Sequence, residues 1–159
     1  MMTKQTSPYR ITWILALIGL FALSSCQSVR KNQATDMPTT VGNIGKLVSV
    51  PGGAYTDVSP DELKAMLTNK DFIFINVHTP HENDIPATDL FIPYDAIDQN
   101  LNRLPADKNA KIVLYCRSGY MSSIAAKQLV SLGYSNVWSL AGGMAAWQQA
   151  GMPLENVVK

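Results

Sequence analysis

A chain of 159 residues with 47% hydrophobic and 8% aromatic side chains has the composition of a globular protein and the length of one domain rather than two. A formal net charge of +1, with no basic run and no acidic tail, excludes the electrostatic footprint of a nucleic-acid binder.

Lys4 and Arg10 open the chain with positive charge, and Ile11 to Leu23 is almost wholly apolar. At 13 residues that run is short of the roughly 20 that cross a bilayer as a helix, and it suits the apolar region of a signal peptide. Leu23-Ser24-Ser25-Cys26 follows. This order resembles a bacterial lipobox, in which small residues admit a peptidase and the cysteine takes a lipid. The resemblance implies a signal peptide over residues 1–25 and lipidation at Cys26. It also implies a location in the cell envelope, anchored to a bacterial membrane and facing the periplasm or the exterior. Loss of residues 1–25 leaves 11 basic against 12 acidic side chains, so membrane attraction comes from the lipid and not from charge. With Cys26 acylated, Cys116 is the one remaining thiol and no internal disulfide can form.

Residues 26–53 are rich in Ser, Asn, Gln, Thr, Gly and Pro and read as the lipidated N-terminus and a flexible tether, with Lys46–Val50 as a candidate short strand. The folded domain is expected over residues 54–159. Ser59-Pro60-Asp61-Glu62 is a helix start: Ser as N-cap, Pro in the first turn, Glu closing a capping box. Leu63, Met66 and Leu67 give that helix its apolar face. Phe72–Val77 is a continuous apolar run apart from Asn76, the mark of a strand covered on both faces. Leu90–Ile92 is a shorter strand candidate closed by Pro93, and Ile97, Leu101 and Leu104 suggest a helix within residues 94–104. Lys111–Tyr115 is a second buried strand, Ser122–Leu132 a helix stopped by Gly133, and Val137–Leu140 another strand. Gly142-Gly143 turns the chain into a last helix, Met144–Ala150, ended by Gly151 and Pro153. The alternation predicts a three-layer α/β/α domain with a mainly parallel central sheet of about five strands.

Cys116 stands at the end of the buried strand, followed by Arg117-Ser118-Gly119-Tyr120-Met121 and a helix. The carboxyl end of a parallel strand faces the crevice where such sheets bind ligands. A loop that wraps into a helix N-terminus aims several backbone N–H groups at one spot and stabilises an anion there. The thiolate is the nucleophilic form of cysteine, so geometry and electrostatics act together on Cys116. Arg117 adds a positive charge beside the sulfur, and Gly119 permits the tight turn.

Tyr115-Cys116-Arg117-Ser118-Gly119 and the helix after it resemble the active-site loop of rhodanese-like sulfurtransferase domains. Gly133-Tyr134, Val137, Leu140, Gly142-Gly143, Trp147, Gly151 and Pro153 match the family's C-terminal pattern. The upstream half departs from it. Asn76-Val77-His78 stands where the family has Asp-Val-Arg, Glu82 fits its usual acid, and Asp84-Ile85-Pro86-Ala87 replaces Gly-His-Ile-Pro-Gly. The resemblance implies sulfane-sulfur transfer through a persulfide on Cys116. The loop of Arg117, Ser118, Gly119, Tyr120, Met121 and Ser122 would bind substrate, and no cofactor or metal is implied. The expected partners are a small sulfur-containing donor, a thiol acceptor, the membrane through the lipid and a protein redox partner; nucleic acid is not among them. Tyr120 and Met121 stand where thiosulfate users carry a further polar or basic residue, which favours a persulfide or polysulfide donor. Related phosphatases need Arg at position 122 in a longer loop; Ser122 stands there and the guanidinium clamp is missing. A second reading keeps the fold without turnover, as a binding or sensor module that docks a redox or sulfide-handling partner.

His78, His81, Glu82 and Asp84 form a polar cluster without the spacing of a zinc helix. Glu82 and His78 read as hydrogen-bond partners that order a loop. Trp138 and Trp147 fall in core positions of a strand and a helix.

Overall fold

The computed structural model describes residues 44–157; residues 1–43, with Cys26 and the signal-peptide segment, lie outside the described residues. Among the described residues the first element is a hairpin, β1 (Lys46–Val50) and β2 (Gly53–Val58), followed by α1 (Pro60–Thr68) and β3 (Ile73–Asn76). Two short strands follow, β4 (Asn83–Asp84) and β5 (Leu90–Phe91), and a 3-10 helix over Asp98–Arg103. The second half runs β6 (Ile112–Tyr115), α2 (Tyr120–Ser131), β7 (Val137–Leu140), α3 (Gly143–Gln149) and β8 (Glu155–Asn156).

The main sheet has six strands in the order β1-β2-β7-β6-β3-β5. Only the β1–β2 hairpin at one edge is antiparallel; every other pairing is parallel. Among the described residues, β1 coincides with the candidate strand Lys46–Val50 inside the stretch read as a tether. β2 gives little signal of its own, because only Tyr55 and Val58 of its six residues are buried. β4 and β8 pair with each other outside the main sheet.

The sheet is covered on both faces, as the apolar runs require. One face packs on α2 and the segment of the 3-10 helix, with Ile75, Val77, Ile97, Leu114, Ala125 and Leu129 fully buried. The other packs on α1 and α3 through Leu63, Phe74, Val113, Leu140, Met144 and Trp147. β6 lies inside the sheet between β7 and β3, and all four of its residues are buried. Its side chains alternate: Ile112, Leu114 and then Cys116 face α2, while Val113 and Tyr115 face the opposite layer. Each such aliphatic side chain removed from water contributes about 1.5–3 kcal/mol, so the strand that delivers Cys116 is among the most firmly held.

The capping box before α1 is present: Glu62 N–H donates to Ser59 Oγ at 3.4 Å and Ser59 N–H donates to Glu62 Oε2 at 2.8 Å. Glu62 Oε1 also accepts Gly45 N–H at 2.8 Å and so ties the lead into β1 to the helix. α2 begins at Tyr120, two residues earlier than the expected Ser122, because Gly119 at φ 87° serves as N-cap through its backbone alone. The helix expected within residues 94–104 is the 3-10 turn pair, interrupted at Asn100, whose φ of −120° is not helical.

Candidate functional site

β6 carries Cys116 to the carboxyl edge of the sheet, beneath the start of α2. The residue is 1% exposed, and its Sγ accepts the N–H of Gly119 at 3.1 Å. No side chain caps α2. The N–H groups of Tyr120, Met121 and Ser122 therefore belong to a first turn with no intrahelical acceptors, and the helix dipole adds its positive end there. A sulfur at this position, or one atom beyond it, meets donors that favour negative charge.

The back of the loop rests on a second glycine turn. Met144 N–H donates to Cys116 O at 2.8 Å, and Ala145 N–H donates to Arg117 O at 2.9 Å. Gly143, at φ 58°, lies against these carbonyls: a Cβ there would run into Cys116 O and come within 2.7 Å of Arg117 C. A Cβ on Gly119 would lie 3.1 Å from Gly142 N. Gly142 and Gly143, read from sequence as turn residues, thus form the floor of the Cys116 loop. A Gly-Gly pair before a helix looks the same in any turn, so nothing local in the sequence marks this contact.

The other loop residues divide. Arg117 and Ser118 are exposed, and Tyr120 is 71% exposed at the rim. Met121 is half-buried and packs on the α2 side of the core. Ser122, read from sequence as a substrate-binding residue, turns its side chain inward. Its hydroxyl is buried, donates to Gly119 O at 3.1 Å and pairs with Ser139 Oγ of β7 at 3.0 Å. What Ser122 keeps for the loop is its backbone N–H. Arg117 lines a cleft of about 240 Å³ with Glu82, Asn83, Met144, Ala145, Gln148 and Leu154. Among the described residues no carboxylate forms an ion pair with it. A cleft of about 340 Å³ beside Gly53 and Asn136 has no cysteine, histidine or carboxylate in its lining.

Beside β6, the end of β3 builds a polar frame. Val77 N–H donates to Tyr115 O at 2.9 Å, and Asn76 Oδ1 accepts His78 N–H at 2.9 Å. Asn76 Nδ2 donates to Asn83 O and to Asp84 Oδ1, both at 2.9 Å. Tyr115 donates its phenol proton to Asp84 Oδ1 at 3.0 Å while its oxygen accepts Ile85 N–H. Burial holds that phenol well above its ordinary 10.0, so it stays a donor. His81 stacks on Phe91 and reaches Asp84 Oδ2 at 3.0 Å. The carboxylate of Asp84 is therefore engaged at both oxygens. His78 is different. Its side chain is 7% exposed, neither ring nitrogen has a hydrogen-bond partner, and Nε2 lies 3.6 Å from Glu82 Oε2. Among the described residues no three His, Cys, Asp or Glu side chains are grouped to hold a metal ion.

Comparison with known proteins converges on the same region. The rhodanese-like domain family matches residues 59–150. A sulfurtransferase of Allochromatium vinosum is 31% identical over 102 residues, covering 62% of this chain and 92% of that protein. A tRNA uridine(34) hydroxylase of Erwinia tasmaniensis is 30% identical over 112 residues, covering 64% of this chain but 31% of the hydroxylase. Among solved structures, the rhodanese-like domain of the Anabaena protein Alr3790 superposes with a TM-score of 0.56 at 27% identity, covering 64% of this chain and 79% of that one.

Proposed function

The chain belongs to the rhodanese-like family, and from that membership together with the geometry at Cys116 we propose that it is a sulfurtransferase or persulfide carrier. A sulfur-transfer-related role belongs to the family level, where a sulfurtransferase is among the relatives. The finer reading rests on one observation: the Sγ of Cys116 is the acceptor for Gly119 N–H at the start of a helix that no side chain caps.

In the first half-reaction the Cys116 thiolate attacks a sulfane sulfur of the donor. The new Sγ–S bond forms as the donor's S–S bond breaks, and the donor leaves with the electron pair. The outer sulfur of the persulfide is then the anion, held by the N–H groups of the first turn of α2. This is oxyanion-hole logic applied to sulfur. In the second half an acceptor thiolate attacks that outer sulfur, the Sγ–S bond breaks, and the pair returns to Cys116.

The exposure of 1% at Cys116 bears on the donor. A linear polysulfide or hydropersulfide threads such an opening more readily than the tetrahedral sulfonate end of thiosulfate. Tyr120 and Met121 bring no charge that would attract a dianion. In a steady-state assay with a thiol acceptor, the purified chain is expected to turn over polysulfide with kcat/KM at least roughly tenfold above that for thiosulfate, the scale of one well-placed contact. Cys116→Ser is expected to abolish both. A thiosulfate preference would overturn the donor assignment. The same low exposure favours a second reading, a docking or sensor module that binds a redox or sulfide-handling partner. Absence of turnover with every donor would select it.

A further inference from the structure

Beyond the backbone N–H that Ser122 keeps for the loop, its hydroxyl ties that loop to the neighbouring strand. Ser122 Oγ donates to Gly119 O at 3.1 Å and lies 3.0 Å from Ser139 Oγ of β7. A serine hydroxyl has one proton to give. With that of Ser122 on Gly119 O, Ser139 is the donor to Ser122. The groups thus form a directed chain, from the Ser139 hydroxyl to the Ser122 hydroxyl to the Gly119 carbonyl. Both serines are sealed from water, Ser122 at 0% and Ser139 at 1% exposure. Ser139 lies in register with Leu114 of β6, two residues before Cys116. A hydroxyl buried in such an apolar layer costs about 1–3 kcal/mol unless it is hydrogen-bonded, so packing alone would be met by alanine. β7 meets Gly119 a second time. A Cβ on that glycine would lie 3.5 Å from Leu140 O and 3.1 Å from Gly142 N.

We propose that Ser139 and Ser122 are positioning residues for the sulfur anion, acting through the peptide that joins Gly119 to Tyr120. That peptide is planar and trans, so its C=O and N–H point in opposite directions. Holding Gly119 O on the inward-facing hydroxyl of Ser122 turns Tyr120 N–H away from the buried pair. Among the described residues no protein acceptor takes that N–H. It follows directly on Gly119 N–H, which rests on Cys116 Sγ at 3.1 Å. Gly119 N–H thus serves Sγ, and Tyr120 N–H is left for negative charge on Sγ or on a sulfur bonded to it. A chain of buried hydroxyls also polarises the carbonyl at its end, and with it the N–H of the same peptide. Ser123 N–H shares Gly119 O at 3.1 Å, so two donors fix the plane and the hydroxyl alone links it to β7. The assignment rests on the sulfur-transfer reading above for the identity of the anion; the hydrogen-bond chain stands without it.

Two measurements on the purified chain test this, with Ser139→Ala, the double variant Ser122→Ala/Ser139→Ala, and Ser131→Ala as control. Ser131 makes the same bond to a carbonyl three residues back, Gln128 O at 2.7 Å, on the exposed far end of α2. The double variant leaves no hydroxyl without its partner, which keeps the test open should the single variant be destabilised. The first measurement needs no sulfur transfer: unloaded Cys116 is alkylated with iodoacetamide at neutral pH and followed by mass spectrometry. Alkylation of the double variant is expected to be about three- to tenfold slower than that of the parent, the scale of one hydrogen bond. Ser139→Ala should change it in the same direction, and Ser131→Ala should keep the parent's rate. A pair that merely filled space would loosen the loop on removal, and a sulfur only 1% exposed would then react faster. Equal or faster alkylation of the double variant overturns the proposal. In the second, Cys116 is loaded from polysulfide under single-turnover conditions. The saturating loading rate of the double variant should fall by a similar factor while the half-saturating concentration stays within about twofold, because the N–H acts on charge and not on donor binding. A saturating rate equal to the parent's overturns the proposal as well. Slowed alkylation in a chain whose parent never loads sulfur would keep the positioning role and defeat the transferase reading alone.

Discussion

Cys116 is held from two sides by backbone groups. Gly119 N–H reaches its sulfur, and Met144 N–H reaches its carbonyl. Both contacts depend on glycines in the left-handed region, Gly119 at φ 87° and Gly143 at φ 58°. Gly143→Ala combines left-handed strain with a Cβ driven into Cys116 O. It is expected to cost about 2–4 kcal/mol of stability by chemical denaturation. Where the variant stays folded, sulfur transfer should fall about 10–100-fold, because the loop is displaced by a fraction of an ångström or more. A variant with unchanged stability and rate would show that the floor is not needed. At this scale the sequence was legible where the signal is local: a thiol at a strand end, a glycine three residues on and a helix after it. The hydroxyl pair Ser122–Ser139 and the seat of Gly143 under Cys116 were not legible. Each joins residues from different elements, and a serine or a glycine looks the same wherever its partner lies.

The elements follow their local signals where burial is complete and lose them where it is partial. β6 and β7 appear where their apolar runs stand, and α1 starts at its capping box. β4 and β8, two residues each, carry no period to read; they exist because the C-terminal segment meets the loop after β3. Glu62 shows how one cap serves two elements. Its carboxylate accepts Ser59 N–H within the box and Gly45 N–H before β1, and these bonds, with the Ser59 hydroxyl, hold its pKa below the ordinary 4.5. A carboxyl depressed in the folded state stabilises fully above its unfolded pKa and loses that contribution as pH falls through the folded one. Glu62→Gln is therefore expected to cost about 1 kcal/mol near neutrality, the usual worth of a cap at a partly exposed position. The difference from the parent should shrink as pH falls below 4.5. Urea titrations at neutral and acidic pH measure it; a gap that stays constant with pH would assign the loss to packing.

At the scale of the molecule, a mainly parallel sheet with helices on both faces puts the ends of β3 and β6 at one edge. That edge gathers Cys116, the uncapped start of α2, and the cleft of Arg117 and Glu82. The three-layer class could be read from the alternation of apolar runs with helix starts, and β1 stands where a candidate strand was read, whereas β2, which joins it to the sheet and makes six strands, could not be read. We propose in addition that lipid on Cys26 anchors the chain to a membrane. Labelled palmitate is expected to enter the chain when it is produced in a bacterium, and Cys26→Ala is expected to lose the label; retention would remove the anchor. Sulfur transfer by this chain is decided at position 116. Peptide-mapped mass spectrometry after brief exposure to polysulfide should find one added sulfur atom on the peptide bearing Cys116, released by a thiol and missing from Cys116→Ser. An unmodified peptide, or a sulfur that no thiol removes, would contradict it.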